Sequence, residues 1–332
     1  MSMEMNIEKS APKPSSTKMI RNKLKPYIPS LSIIVLLLIL GQILSPGFAS
    51  LGNIGTIVSI STVLAIAAIA QTLIIISGNE GIDLSIGAVM SMGALLGAVL
   101  SKGMNTEIWY TVLILIGIGI IIGLINGIAI QFINIPPLVM TLGMTSVVNG
   151  FALAYTKGLP SGGAPEILVK LGIGHLGPIR WMLILGIVLI IALELVLRKT
   201  RYGKTLYLVG SNRMAAIISG ISVNKTVLLT YVIASVAGTL GGLVLLGYVG
   251  SAQLEMGKDY ALLSIAAVVI GGTSLTGGQG TYLGSALGSV VLVLLTSVLV
   301  AVGMPPGVRV LLQGLILLLI LLIYSREPKL RQ

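Results

Sequence analysis

The chain has 332 residues, of which 55% are hydrophobic and only 9% are charged, and its mean hydropathy is +1.04. A water-soluble domain carries about 25% charged residues, so this composition excludes a cytosolic enzyme, and the same hydrophobicity excludes a disordered chain. The class that remains is an all-α membrane protein that crosses the bilayer several times.

The two ends of the chain are polar and basic. Residues 1–27 contain Lys, Arg, Pro and Ser with no apolar periodicity, which predicts a disordered cytosolic tail. The apolar run after this tail is also typical of a signal peptide, but further spans follow, which favours an uncleaved anchor. We predict a transmembrane domain over residues 28–325 and a second cytosolic tail over residues 326–332.

Apolar runs alternate with short polar breaks along the transmembrane domain. Because a bilayer core needs about 20 helical residues, we predict about ten transmembrane helices. The predicted spans are residues 28–44, 54–76, 84–100, 109–132, 138–155, 181–197, 227–249, 261–270, 283–302 and 310–323. The eighth run is short for a complete span, and a half-helix or a re-entrant segment is the alternative.

The basic residues indicate the orientation. If ten spans start inside, most of the 21 Lys and Arg residues fall in the two tails and in the segment 198–226. Cytosolic segments are enriched in Lys and Arg, so we predict that both termini are cytosolic and that the eighth run crosses fully. The net charge of +11 is then an orientation signal and not a nucleic-acid footprint.

Glycine spacing indicates how the helices pack. Gly119, Gly123 and Gly127 recur every fourth residue, and such stripes let helix backbones approach closely in lipid. Residues 69–97 and 263–288 share one order: an apolar helix, a glycine-rich turn and a helix of small residues. This similarity is a hint of internal duplication.

The sequence contains no catalytic constellation. Cysteine is absent and His175 is the single histidine, so we expect no metal site. The glycine-rich residues 271–278 lack the lysine of a phosphate-binding loop. If ATP drives this protein, another subunit must bind it.

Ionisable residues are scarce within the predicted spans. Only Glu194 lies in a span, and its spacing to Arg198 predicts an ordinary pair one helical turn apart. Ion-coupled carriers often place ionisable groups near the bilayer midplane. Glu194 is near the cytosolic end of its span, so no ionisable group is predicted near the midplane, which indicates a neutral cargo.

A neutral polar cargo still needs polar partners along its path. Thr141, Thr145 and Asn149 form one stripe on the fifth predicted span, and Asn126 lies on the fourth. These side chains are candidates for the translocation path, and hydrogen bonds between helices are the equal alternative. Asp83 opens the third span as a predicted helix cap, with a gating or docking role as the alternative.

The segment 198–226 is the longest predicted cytosolic insertion. Within it, residues 211–221 predict a short helix with Ser211 or Asn212 as its cap and Gly220 at its end. A projecting helix of small residues suits docking into a soluble partner, and a solvated connection is the alternative.

Several stretches carry a family resemblance. They are residues 81–87 (GIDLSIG), 136–143 (PPLVMTLG), 200–203 (TRYG) with 215–216 (AA) and 219–221 (SGI), and 265–278 (IAAVVIGGTSLTGG). In order and spacing, over roughly residues 30–325, the chain resembles the permease subunits of ribose-type ATP-binding-cassette sugar importers.

The resemblance implies a bacterial cytoplasmic-membrane permease that pairs with a second permease subunit, as a homodimer or a heterodimer. It also implies cytosolic subunits that bind the ATP and an extracytoplasmic substrate-binding protein. The expected cargo is a neutral monosaccharide. Nucleosides and autoinducer-2 are the alternatives within this machinery, and an ATP-independent facilitator is the alternative outside it.

The resemblance also assigns the helix at residues 211–221 as the coupling helix that contacts the ATPase. The implied contact residues are Arg213, Ala215, Ala216, Ser219, Gly220 and Ile221. Family members often carry acidic residues where this chain has Arg213 and Met214. We therefore expect either an acidic groove in the ATPase or an unusual pairing.

Overall fold

The computed structural model describes residues 25–324, which are almost entirely helical. The α-helices are α1 Ile28–Leu44, α2 Leu51–Ile76, α3 Ile86–Ser101, α4 Ile108–Gln131, α5 Pro137–Thr156, α6 Glu166–Ile173, α7 Trp181–Lys199, α8 Arg201–Ser211, α9 Arg213–Ile218, α10 Val223–Val249, α11 Tyr260–Ile270, α12 Tyr282–Ala301 and α13 Pro306–Tyr324. A short antiparallel hairpin, β1 His175–Leu176 with β2 Ile179–Arg180, precedes α7.

Seven of these helices are long and apolar enough to cross a membrane: α1, α2, α4, α5, α7, α10 and α12. The shorter apolar helices α3 and α11 fall on the third and eighth predicted spans. The prediction of an all-α, multi-pass membrane protein is confirmed. The count of ten spans and the cytosolic side of the termini stay predictions.

The predicted tails lie mostly beyond the described range. Residues 1–24 and 326–332 are outside it, so the structure does not bear on their order. Lys25–Tyr27 form a 3₁₀ turn whose Tyr27 side chain is buried. The Tyr27 hydroxyl donates to Thr281 Oγ1 at 3.3 Å.

Helix α2 forms the centre of the bundle. Every residue from 61 to 76 is buried, and α3, α10, α11 and α12 pack around it. A helix that is apolar all round is stable when it is enclosed by other helices. Small residues such as Ala67 and Ala70 let these neighbours approach.

The predicted glycine stripe packs α4 against α10. A Cβ added at Gly119 would lie 2.7 Å from Val236 Cα, and one added at Gly123 would meet Val232 Cα. The two backbones are therefore in direct contact, as small residues in membrane helices allow. The prediction of close helix packing is confirmed.

Two glycine-rich turns, residues 77–85 and 271–281, meet at one end of the bundle. The Gly278 N–H donates to the Ile76 carbonyl at 2.9 Å. The backbone of Gly210, near the end of α8, lies against both turns. We call this end the inner end, because all three segments are predicted to be cytosolic. The opposite end, where Gly163 pairs with Ser251, is the outer end.

The eighth span contains a half-helix, which was the predicted alternative to a complete helical span. Helix α11 has 11 residues, which gives a length of about 16 Å at 1.5 Å per residue. This is roughly half of a bilayer core. Residues 251–259, which precede it, form no helix, and we call them the unwound segment.

The contacts of the unwound segment fix its depth. It starts at the outer end beside Gly163 and reaches Ser91 of α3, whose Oγ accepts the Gly257 N–H at 2.9 Å. Met90, next to Ser91, packs beside Val63, halfway along α2. The eighth segment thus passes through the outer half of the bundle as irregular chain, and α11 continues toward the inner end.

Candidate functional site

Asp83 is fully buried in the turn between α2 and α3. Its Oδ1 accepts hydrogen bonds from the Ser85 backbone N–H at 2.8 Å and from the Ser85 hydroxyl at 2.5 Å. The Gln71 amide of α2 donates to the Asp83 carbonyl and accepts the Asp83 N–H. Because α3 begins at Ile86, Ser85 occupies its N-cap position. Asp83, the predicted cap, lies two residues ahead of it and stabilises the turn instead.

Asn126 and Thr141 contact the same turn. The Asn126 amide donates to Ser85 Oγ at 3.4 Å, and the Leu84 N–H donates to Thr141 Oγ1 at 3.2 Å. Both side chains are fully buried. Their contacts join α4 and α5 to the turn. This favours a role in hydrogen bonding between helices for Asn126 and Thr141 over a role in lining the translocation path.

Thr145 and Asn149, the other two candidates, are partly exposed and line two adjoining cavities between α3, α5 and the unwound segment. The cavity nearer the inner end has a volume of about 220 Å³ and is lined by Thr145 and Lys258. The cavity nearer the outer end has a volume of about 310 Å³ and is lined by Glu255. Ser91 and Asn149 line both cavities, so the two volumes meet there.

The unwound segment brings charge to the middle of the bundle. Lys258 Nζ lies 3.2 Å from Glu255 Oε2, and these side chains are 72% and 51% exposed. The prediction that no ionisable group lies at mid-depth is therefore wrong, because Glu255 and Lys258 lie between the seventh and eighth predicted spans and not within one. The signal in the sequence is the polar stretch 253–260 (QLEMGKDY) before an apolar run too short to span a bilayer.

The segment between α7 and α10 forms two helices rather than one. Helix α8 was not predicted, and Ser211 is its last residue. Helix α9 is capped by Asn212, whose Oδ1 accepts the Ala215 N–H at 2.9 Å. Of the two predicted caps, Asn212 is the one that forms.

Gly220 ends α9 as predicted. It has a φ of +76°, and its N–H donates to the Ile217 carbonyl while the Ile221 N–H donates to the Ala216 carbonyl. This pair of bonds is the Schellman motif, which favours glycine at the left-handed position.

The predicted coupling residues divide into an exposed and an inward-facing set. Ala215, Ser219 and Gly220 are exposed, whereas Ala216 is buried and Ile221 is half-buried. The exposed side chains that the sequence analysis missed are apolar: Met214, Ile217 and Ile218, which we call the apolar tip. Ile218 is 79% exposed.

Arg213 faces inward, away from the apolar tip. It lies between Gly78, Gln131 and Tyr231, and its Nε has no partner among the described residues. Burial lowers the pKa of the guanidinium, and the nearby Tyr231 hydroxyl opposes this shift. The expected basic surface of the coupling helix is therefore replaced by an apolar one.

The predicted pair of Glu194 and Arg198 is confirmed. Glu194 also accepts the Leu283 N–H at 3.0 Å, and Arg198 donates to the Tyr27 hydroxyl. The pair thus ties α7 to α12 and to the start of α1.

A bundle of apolar helices with an interrupted span, beside cavities that polar side chains reach, is typical of a multi-pass membrane transport protein. Comparison with known families narrows this class: residues 53–321 match the family described as branched-chain amino acid transport system / permease component. The chain belongs to this family. It is therefore a permease and not an enzyme, and it is one component of a larger transport system.

The chain is similar to several curated permeases over most of its length. The ribose import permease of Escherichia coli K12 is 32% identical over 305 residues, which cover 90% of this chain and 93% of the relative. The galactose/methyl galactoside import permease of the same strain is 31% identical, covering 88% and 93%. The fructose import permease of Bifidobacterium longum is 30% identical, covering 88% of each. No solved structure matches the chain.

Proposed function

We propose that this chain is the permease subunit of an ATP-binding-cassette importer in a bacterial cytoplasmic membrane and that it carries a neutral monosaccharide. One observation carries the proposal: import permeases named for ribose, galactose and fructose match about nine-tenths of the chain. The polar side chains of Thr145 and Asn149 in the cavity linings support it, because a sugar needs hydrogen-bonding partners inside the bilayer.

A separate ATPase subunit supplies the energy, and the chain itself holds no ATP. The glycine-rich turn 271–278 is packed against Gly78 and Gly210 at the inner end, which supports a structural role for it. The apolar tip is the proposed contact with the ATPase. Exposed apolar clusters commonly mark protein interfaces, so we propose an apolar socket on the ATPase. Of the two alternatives from the sequence, an acidic groove or an unusual pairing, this corresponds to the second.

A second permease subunit and an extracytoplasmic binding protein complete the proposed importer. The exposed pair of Glu255 and Lys258 supports the presence of a second subunit, because charged side chains at bilayer depth face protein or water and not lipid. A homodimer and a heterodimer satisfy this argument equally. The low aromatic content, 5%, supports a cargo specificity that resides mainly in the binding protein.

Reconstitution tests the proposed function. The permease would be placed in liposomes with its ATPase and binding protein, and uptake of labelled ribose, galactose and fructose would be measured with and without ATP. We expect ATP-dependent uptake of at least one sugar. Selective uptake of uridine or of autoinducer-2 would support the alternative cargoes, and sugar flux through the permease without the ATPase would support a facilitator.

The apolar tip gives a sharper test of the coupling role. Ile218→Asp should reduce co-purification of the ATPase and lower sugar uptake at least tenfold, which corresponds to about 1.4 kcal/mol of lost interaction. Leu159→Asp is the matched control, because Leu159 is 78% exposed at the outer end. Equal retention of the ATPase by the two variants would contradict the assignment of the tip.

A further inference from the structure

We infer that Glu255, Lys258 and Asn149 form a contact site for a neutral, polyhydroxylated cargo at the midpoint of the path. The inference rests on the proposed sugar-import function and adds the residues that contact the sugar. The carboxylate would accept hydrogen bonds from sugar hydroxyls, and the ammonium and the amide would donate to them.

The position of the pair supports this assignment. Glu255 lines the outer cavity, Lys258 lines the inner cavity, and Asn149 lines both. A cargo that moves from one volume to the other must therefore pass these three side chains. The outer volume of about 310 Å³ falls within the range of roughly 300–1,000 Å³ that is usual for small-molecule sites.

The free-energy cost of exposing an ionised group to lipid indicates that Glu255 and Lys258 have water-filled surroundings. Both side chains are at least half exposed, although the backbone of Gly257 between them is anchored to Ser91 near mid-depth. An ionised group that faced lipid at this depth would cost several kcal/mol. The face that carries Glu255 and Lys258 must therefore border an aqueous path or a polar interface.

The chemistry of the pair suits a neutral cargo. The two charges cancel, so the pair has no net charge with which to attract an ion. Each partner still forms charge-assisted hydrogen bonds, which are about twice as strong as neutral ones. Because the pair is partly solvated, sugar hydroxyls can replace water around it without breaking a sealed salt bridge.

The alternative is an ion pair that only holds the turn together. The chain offers a matched control in Glu166 and Lys170 of α6, whose charged atoms are 2.7 Å apart and whose side chains are 66% and 69% exposed at the outer end. In each pair the two residues are three or four positions apart in the sequence, their side chains are exposed, and they lie on a short segment. Only the pair of Glu255 and Lys258 borders the two central cavities.

Uptake by charge-neutral variants is the first test. Glu255→Gln with Lys258→Gln should lower ATP-driven uptake of labelled ribose, galactose or fructose at least tenfold while basal ATP hydrolysis is unchanged. Glu166→Gln with Lys170→Gln should leave uptake unchanged. Normal uptake by the Glu255 and Lys258 variant would overturn the inference. Failure of the wild-type complex to take up any of these sugars would instead overturn the proposed function.

Thiol labelling separates cargo contact from a structural role. The chain has no cysteine, so Glu255→Cys carries a single thiol, and Glu166→Cys does the same for the control. A water-soluble methanethiosulfonate reagent should label both variants in the reconstituted complex. Sugar delivered by the binding protein should slow labelling of Glu255→Cys alone. Absence of labelling at position 255, or labelling that the sugar does not slow, would overturn the inference.

Discussion

Two helix–turn–helix units of this protein share a sequence pattern but differ in how they cross the bundle. The first unit consists of α2, the turn 77–85 and α3, and the second consists of α11, the turn 271–281 and α12. Their turns are in contact through Gly78 and Gly277. The first helix of the first unit has 26 residues, whereas that of the second has 11.

This length difference decides which charged and polar groups of the two units are exposed. In the first unit the long helix is enclosed, and its polar groups, such as Gln71 and Asp83, are buried and hydrogen-bonded. In the second unit the missing helical turns are replaced by the unwound segment, which exposes Glu255 and Lys258 at mid-depth.

Substitutions at the contact between the two turns should lower the free energy of unfolding most. Gly277→Ala introduces a Cβ 2.5 Å from Gly78 Cα at a residue whose φ is +92°. Gly272→Ala has a similar φ of +84° but no atom within 4 Å of the new Cβ. Both variants carry the strain of a left-handed residue, about 1–2 kcal/mol.

We expect Gly277→Ala to lower the free energy of unfolding by about 1–3 kcal/mol more than Gly272→Ala, which is the range for overpacking. Thermal unfolding of the purified permease in detergent measures the difference. Equal melting temperatures for the two variants would show that the turns are not tightly packed.

Substitution of Asp83, the buried carboxylate of the first unit, should have the next largest effect on the free energy of unfolding. Asp83→Ala leaves the Ser85 N–H and hydroxyl without their acceptor, and an unpaired buried group costs about 1–3 kcal/mol. Asp83→Asn should retain part of the stability, because an amide oxygen still accepts a hydrogen bond.

Asp259 of the second unit is the control for this prediction. It is exposed and makes no side-chain cap bond to α11, so Asp259→Ala should change the free energy of unfolding by no more than about 0.5 kcal/mol. Chemical denaturation in detergent compares the variants. A loss for Asp259→Ala as large as that for Asp83→Ala would contradict the stabilising role of the buried Asp83 hydrogen bonds.

The hydrogen bond that anchors the unwound segment should have the smallest effect. Ser91→Ala removes the acceptor of the Gly257 N–H, which should cost about 1 kcal/mol. Ser264 is also buried, but its hydroxyl donates to the Ala261 carbonyl of its own helix. Ser264→Ala should therefore be nearly neutral.

Hydrogen exchange of the Gly257 amide measures this effect locally. Exchange should be faster in Ser91→Ala and unchanged in Ser264→Ala. The same exchange rate in both variants would mean that the anchor at Ser91 does not hold the segment at mid-depth.

Local sequence patterns were sufficient for several features of the fold and the site. Hydrophobicity indicated a multi-pass helical membrane protein, and four-residue glycine spacing indicated close packing of α4, although not its partner. The Gly220 helix end and the pair of Glu194 with Arg198 were also predicted, and Asn212 was one of the two predicted caps. Each depends on residues within a few positions of one another or on a single helix face, where spacing determines geometry.

The remaining site features depended on distant parts of the chain. Gly257 is held at mid-depth by Ser91, 166 positions away, and no local pattern records that bond. Arg213 faces inward because Tyr231 and the turn at Gly78 form a recess beside it. Asn126 is enclosed by the same turn.

The amino-acid sequence by itself determined the class of the protein, because the free energy of transferring apolar side chains from water to lipid depends on composition and run length. Only the tertiary structure decided which polar groups are enclosed and which line a cavity. Depth and exposure are properties of a side chain's neighbours, and in this bundle those neighbours come from other helices.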